Sequence, residues 1–343
     1  MKTQKKLEKL GIVKKEELDP KQINYLAHFM ADSITKKFPV LQLQYNEILA
    51  KILNCKMYYA KIPENISKVN YIYEDDSIYI DESVNILEPN EQIFNQILHF
   101  LQVIRKTSGK IQKMGLCNFG DFAIAGLGLN EALVQYMSSK IIENEKQSIT
   151  IGDIRFKTIS PNSYPMLTNL MEQLIYLIGE DKIIQYAMNV NNEFDNEFYN
   201  TFEEKTNQII RNFDKILDLK TKIVLETNET KKEELEKELI EIYKETQKMM
   251  IIKYYQNIIS QASEEREIDF YIEKLEKNKE CIGIDESKAF TGESLYDEYK
   301  QIIMEKINKQ LIKINKEKQR KALVKYNNKL IRFLKRTISY LFN

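Results

Sequence analysis

Proline and glycine are distributed very unevenly along the 343 residues of this chain. All six prolines lie at or before Pro165, and five of the ten glycines lie between Gly109 and Gly128. Because both residue types interrupt helices, the residues after Pro165 are predicted to form long helices, and the first half a mixed globule. We therefore predict an α+β, mostly helical fold, in which a core with a small β-hairpin or sheet precedes a long helical, coiled-coil-like C-terminal extension.

Hydrophobic periodicity and turn residues predict the elements of the first half. The predicted helices are 4–17, 21–37, 91–107, 129–142 and 164–178. The predicted strands are 56–61, a hairpin formed by 68–74 with 77–81, and a further short hairpin within 150–158. Two helices are therefore expected before the first strand.

Two apolar series in the second half keep the three- and four-residue spacing of helices. One runs from Phe202 to Ile223 and the other from Leu235 to Met249, on either side of the polar stretch 227–230. Helices joined by such a short turn are expected to pair antiparallel, like the arm of a coiled coil. The predicted domains are an α+β domain at 1–190, the helical arm at 191–305 and a basic amphipathic helix at 306–343.

Charge and composition exclude several classes of protein. Lys and Arg together number 51, as do Asp and Glu, so the formal net charge of zero disfavours a globally basic nucleic-acid-binding protein. No stretch approaches the 18 or so apolar residues of a membrane-spanning helix, and the first twenty residues lack the apolar run of a secretory signal. Three scattered cysteines without a CxxC pair indicate reduced thiols. These features predict a cytoplasmic location, with attachment at the membrane periphery left open.

The predicted helix 91–107 contains Asn95-Gln96-Ile97-Leu98-His99, and an Asn130-Glu131 pair follows, with Glu131 32 residues after His99. Zinc hydrolases of the HExxH type need two histidines one turn apart, a glutamate beside the first, and a third ligand from a neighbouring helix. The order of hairpin, buried helix, loop and a helix with Asn-Glu resembles the gluzincin, thermolysin-like zinc metallopeptidases. The resemblance covers roughly residues 55 to 145 and implies a zincin-like core.

The resemblance also shows where this chain departs from the family. It places His99 and Glu131 at two metal-ligand positions, but Asn95 stands at the position of the first histidine and Gln96 at that of the general-base glutamate. Gln135 stands where the family has an aspartate that orients a ligand. A carboxamide is a poor zinc ligand and cannot accept the proton of a bound water. The motif therefore predicts a catalytically inactive, metallopeptidase-like protein without a cofactor, with zinc at His99 and Glu131 as the alternative.

Two other interpretations of these residues stay open. The chain has one further histidine, His28, which would be the sole additional imidazole for a divergent metal-dependent hydrolase that uses His99 and Glu131. Taken singly, His99 is also typical of a buried, hydrogen-bonded histidine, and Glu131 of an acid near a helix N-terminus.

The segment 306–343 carries 12 Lys and Arg residues against one acid, Glu317. Apolar residues form one helical stripe: Val324, Ile331, Leu334, Ile338 and Leu341. Basic residues lie mostly off that stripe: Lys325, Lys329, Arg332, Lys335 and Arg336. Such a helix binds an anionic membrane surface or docks on an acidic part of its own chain, and the sequence leaves both open. Nucleic acid is disfavoured, because most of the aromatic residues fall near the apolar side.

The leading hypothesis is that the protein binds another protein or a peptide. The expected recognition groove lies between the strand 77–81 and the helix 91–107, where an extended peptide would add to the sheet edge. The alternatives are the divergent hydrolase and a peripheral membrane or scaffold protein that works through its basic C-terminal helix.

Overall fold

The computed structural model describes residues 2–120, 123–189, 193–282 and 295–341. Within them the chain is α+β and mostly helical, with small sheets in its first half and a long helix at its C-terminal end, as the sequence predicts. None of the described helices is long and apolar enough to cross a membrane.

The N-terminal region departs from the predicted helix 4–17. Helix α1 (Lys2–Leu10) ends at Gly11, whose φ of 67° is left-handed. Strand β1 (Val13–Glu17) follows and pairs antiparallel with β2 (Lys56–Lys61). The expectation of two helices before any strand is therefore wrong, because pairing with β2 overrides the helical preference of this Lys- and Glu-rich segment.

The helices that follow β1 pack against each other. Helix α2 (Pro20–Lys37) begins with a capping box, in which the Asp19 carboxylate accepts a hydrogen bond from the backbone and Gln22 bonds back to Asp19. A 3₁₀ segment at Pro39–Gln44 leads into α3 (Tyr45–Leu53).

The first sheet has the strand order β1-β2-β4-β3. The predicted hairpin forms from β3 (Val69–Ile72) and β4 (Ser77–Asp81), and β2 lies parallel to β4. Every residue of β4 is buried. The expectation that 77–81 is an edge strand is wrong, since β3 is the edge on that side of the sheet.

Helix α4 (Glu91–Leu101) is shorter than the predicted helix 91–107. Residues after Leu101 leave the helix and form β5 (Val103–Arg105), which pairs antiparallel with β6 (Ile111–Met114). Strands β7 (Cys117–Phe119) and β8 (Ile124–Ala125) complete this second sheet. The apolar spacing of Ile104 continues that of α4, so periodicity alone did not mark the helix end.

Helix α5 (Leu127–Ile141) lies at the centre of the first half, and eleven of its residues are buried. The predicted hairpin after it is present as β9 (Gln147–Ile151) and β10 (Ile154–Thr158). Helix α6 (Pro165–Ile178) ends at Gly179 as predicted. Helices α7 (Glu180–Met188) and α8 (Glu193–Phe202) follow.

Helices α9 (Thr206–Leu225) and α10 (Glu229–Gln261) form the predicted antiparallel pair. Cross-helix contacts place Lys215 against Glu238, with 2.6 Å between Nζ and Oε1. The pair does not stand apart as an arm. Helix α9 packs against α5 and α6, and its buried side chains belong to one hydrophobic core that extends from Leu18 to Ile314.

Helix α11 (Glu265–Ile282) precedes the long helix α12 (Leu295–Leu341). The expectation of a separate C-terminal helix from 306 is wrong, because α12 is continuous from 295. Its first part packs on α10 and α11, with buried residues as far as Ile314. From residue 315 to residue 334 every side chain is exposed.

Candidate functional site

Helices α4 and α5 bring His99 and Glu131 together. His99 Nε2 lies 3.2 Å from Glu131 Oε2, and only 8% of the His99 surface is exposed. The apolar spacing of α4 turns Ile97, Leu98 and Leu101 into the core, so the face with His99 is held against α5. The Nδ1 atom of His99 is buried and has no hydrogen-bond partner among the described residues.

Asn95 lies one turn before His99 on the same helix and contacts Gln135 on α5. The Asn95 Nδ2 donates a hydrogen bond to Gln135 Oε1 at 3.0 Å. The Gln135 Nε2 in turn donates to Ser160 Oγ at 2.9 Å and to the Glu91 carboxylate. Both residues therefore belong to a polar network that joins the two helices to the segment after β10.

Gln96 points in another direction, towards the first sheet. Its Oε1 accepts a hydrogen bond from the backbone N–H of Tyr71 on β3 at 2.9 Å, and Gln92 Oε1 accepts one from the N–H of Lys68 at 3.2 Å. The outer edge of β3 is thus occupied by glutamines of α4. The expected peptide groove between 77–81 and 91–107 is not there, because β3 lies at that edge and α4 packs against it.

The residues present do not fit a catalytic zinc site, which needs three protein ligands and an open position. The described residues contain no group of three or more His, Cys, Asp or Glu side chains able to hold a metal ion. His28 is exposed on α2, where its Nδ1 lies 3.4 Å from the Tyr45 hydroxyl. The divergent hydrolase would therefore have two protein ligands for a metal ion, His99 and Glu131, with the amide of Asn95 at the third position.

Tyr164, which precedes α6, was not identified from the sequence. Burial, and to a smaller extent the negative charge of nearby Glu131, raises the pKa of the Tyr164 hydroxyl to about 12. The residue has a left-handed backbone with φ 47°. A residue before proline is a turn signal in the sequence, but nothing there indicates that its ring approaches α5.

Asn130, the neighbour of Glu131, was also missed as a contact residue. It is completely buried, and its Oδ1 accepts a hydrogen bond from the N–H of Leu116 at 3.0 Å. Its Nδ2 donates to Gln102 Oε1 at 3.1 Å. Gly115 has φ 57°, and a Cβ there would lie 1.9 Å from Asn130 Oδ1, so this turn requires glycine.

The N-terminus of α5 is fixed by a carboxylate from α9. Asp214 Oδ2 and Oδ1 accept hydrogen bonds from the N–H groups of Gly126 and Gly128 at 2.9 and 2.7 Å. Burial raises the pKa of Asp214, although the two backbone hydrogen bonds act in the opposite direction. The carboxylate thus accepts hydrogen bonds from N–H groups that have no partner within the helix.

The basic residues of the C-terminal segment lie on the exposed part of α12. Lys325, Lys329 and Arg332 are all exposed, whereas the side chains of Lys335 and Arg336 lie outside the described residues. Lys318 pairs with Glu265 of α11, at 3.1 Å between Nζ and Oε2. The interpretation that the helix docks on an acidic part of the same chain is wrong for 319–334, because every one of these side chains is exposed.

Comparison of the chain with protein-family models, curated proteins and solved structures gives no match. The site itself consists of buried and partly buried polar side chains between two core helices: one imidazole, carboxylates and several carboxamides.

Proposed function

We propose that this protein acts without catalysis, as a protein- or peptide-binding or scaffold module built on a zincin-like core. The proposal depends on one observation, which is the presence of two carboxamide side chains on α4. Asn95 and Gln96, at the positions that the resemblance gives to a zinc ligand and to the general base, each form a hydrogen bond to a neighbouring element.

The chemistry of these side chains supports the proposal. The amide of Gln96 has no basic lone pair to take a proton from water, and it accepts the Tyr71 N–H instead. The Asn95 amide is a weak ligand for zinc compared with imidazole. Both groups are neutral and can both donate and accept hydrogen bonds, which suits them to joining helices and strands in a buried setting.

The binding activity in this proposal belongs to the surface of the protein. Both edges of the first sheet are protected, β3 by glutamines of α4 and β1 by its charged residues, so strand addition is disfavoured. A protein or peptide partner would instead contact the outer faces of the helices.

Metal content and peptide hydrolysis test the absence of catalysis. The purified protein is incubated with excess zinc, passed through a desalting column and analysed for metal, and its activity on a peptide library is measured. We expect zinc well below one atom per chain and no turnover. Stoichiometric zinc together with chelator-sensitive hydrolysis would overturn the proposal.

A double substitution tests the zincin-like geometry. Asn95→His with Gln96→Glu restores the ligand and the base, and we expect it to bind about one zinc per chain. The matched control carries the same two substitutions together with His99→Ala, and we expect it to lose the metal. If the double variant stays folded by circular dichroism and binds no zinc, the resemblance is rejected.

A further inference from the structure

The C-terminal helix α12 has a docked part and a projecting part. In the docked part Tyr299, Ile303 and Ile314 are buried, and Gln310 Nε2 donates a hydrogen bond to the backbone oxygen of Ala262 at 2.7 Å. Lys318 still reaches Glu265, at the start of α11, with 3.1 Å between Nζ and Oε2. The helical backbone then continues to Leu341, which adds about 35 Å at 1.5 Å per residue.

The projecting part has two chemically different faces. At 3.6 residues per turn, five aliphatic residues fall within an arc of about 120°. They are Leu323, Val324, Leu330, Ile331 and Leu334, which are between 45% and 62% exposed. Four basic residues, Lys321, Lys325, Lys329 and Arg332, fall within an arc of about 80° on the opposite side. Arg320, in the first turn of the projecting part, is the exception and falls within the aliphatic arc.

Aromatic residues occupy one boundary between these faces. Tyr326 and Phe333 are each 66% exposed, and they lie between the aliphatic arc and the basic arc. Aromatic rings prefer this intermediate position at a membrane interface, where one side of the ring is apolar and the other is hydrated.

The chemistry of the two faces indicates which partner the projecting part of α12 binds. A nucleic acid would satisfy the basic face but leave the aliphatic residues in water. A second copy of the helix would cover the aliphatic face, but it would bring together two segments that each carry seven Lys or Arg and one Glu between 315 and 334. An anionic bilayer surface offers acyl chains to one face and headgroup charges to the other.

We propose that the projecting part of α12 binds an anionic membrane surface, lying in the plane of the interface with its aliphatic arc in the acyl boundary. This inference goes beyond the proposed function and does not depend on a zincin-like core.

Co-sedimentation of the full chain with lipid vesicles tests the electrostatic contribution to membrane binding. We expect binding to vesicles with about one-third phosphatidylserine, weak binding to pure phosphatidylcholine, and loss of binding in high salt. Replacing Lys325, Lys329 and Arg332 by Gln should lower the partition coefficient about a hundredfold, since each basic residue contributes a factor of about five. The matched control replaces the exposed Lys15, Lys61 and Lys110 by Gln and should change binding less than about threefold.

A single tryptophan tests the orientation, because the chain contains none. Leu330→Trp places the reporter on the aliphatic arc and Asn328→Trp on the basic side, both at exposed positions. We expect a blue shift of the emission with anionic vesicles for Leu330→Trp and little shift for Asn328→Trp.

Three results would overturn the proposal. The first is that anionic vesicles bind neither the full chain nor its tryptophan variants. The second is tight binding of duplex DNA together with no vesicle binding, which would make the basic face a nucleic-acid site. The third is a dimer in analytical ultracentrifugation that Ile331→Gln with Leu334→Gln dissociates, without any vesicle binding by the wild type.

Discussion

Carboxamide side chains hold the polar centre of the first half together. Asn95 and Gln135 join α4 to α5, Gln96 joins α4 to β3, and Asn130 joins α5 to the turn before β7. The Asn95 Oδ1 and Gln102 Nε2 atoms are buried without a hydrogen-bond partner among the described residues. An uncharged amide tolerates such burial at a smaller desolvation cost than an ion, and its other hydrogen bonds satisfy groups on its neighbours. Removal of one such amide therefore leaves buried groups on its neighbours without a partner.

Replacement of Asn130 by Ala is expected to lower the free energy of unfolding by about 2 to 3 kcal/mol. The substitution leaves the N–H of Leu116 and the oxygen of Gln102 buried without their partner. Urea unfolding followed by circular dichroism measures the change. The control, Asn24→Ala on the exposed side of α2, should change the free energy by less than about 0.5 kcal/mol. Equal effects of the two substitutions would contradict this account.

Residue contacts within a helix face could be predicted from the sequence, but loop contacts could not. The spacing of apolar residues fixes which side of α4 is buried, whereas α5 is buried on almost all sides. The resemblance then suggested that His99 and Glu131 share a site. Tyr164 and Gly115 approach α5 from turns, where the geometry depends on how distant elements pack. The residue types of these turns do not indicate which distant element they will contact.

At the level of elements, the start of α5 lies very close to the middle of α9. A Cβ at Gly128 would lie 2.1 Å from the backbone oxygen of Phe213. The same region contains the hydrogen bonds from Gly126 and Gly128 to Asp214. The second half of the chain therefore packs on the first through close backbone contact between α5 and α9. This contact explains why α9 and α10 do not project from the core as an arm.

Replacement of Gly128 by Ala is expected to lower the free energy of unfolding by about 3 kcal/mol or more, because α5 and α9 must move apart. Gly109→Ala is the control: its surroundings are open, and only its left-handed φ of 79° is unfavourable, at about 1 to 2 kcal/mol. Thermal unfolding of both variants measures the difference. A smaller loss for Gly128→Ala than for Gly109→Ala would show that the helices adjust freely.

The types of most elements followed from the sequence, whereas several boundaries did not. The hairpins and the helix pair α9 and α10 were predicted because their periodicity and turn residues agree. The segments 13–17 and 103–105 were predicted as helix, since lysine and glutamate favour helices and Ile104 continues the spacing of α4. Both form strands because another strand pairs with them. The partner of 13–17 is Lys56–Lys61, which is distant in the sequence, and the partner of 103–105 is Ile111–Met114, the next strand along the chain.

At the level of the whole molecule, the long helix α12 has a buried part and an exposed part. Residues of α12 as far as Ile314 complete the core, and the residues from 315 to 334 contribute no buried side chain to it. Stability and surface attachment should therefore be separable along this helix.

A chain that ends at Ile314 is expected to keep the free energy of unfolding of the full chain to within about 0.5 kcal/mol, since exposed positions contribute little. Ile303→Ala in the docked part should instead lower it by about 2 to 5 kcal/mol, because it creates a cavity in the core. Denaturant titration of both proteins compares the two parts of α12. A large loss of stability in the shortened chain would mean that the last residues support the core.

The protected edges of the first sheet are expected to limit aggregation at high protein concentration. Strands with free backbone groups can recruit strands of other molecules and initiate fibrils or domain-swapped assemblies. Here the amides of Gln92 and Gln96 already bond to backbone N–H groups at one edge, and the strand at the other edge carries two lysines followed by two glutamates. Molecules crowded together on a shared surface would thus remain individually folded rather than merge through their β-structure.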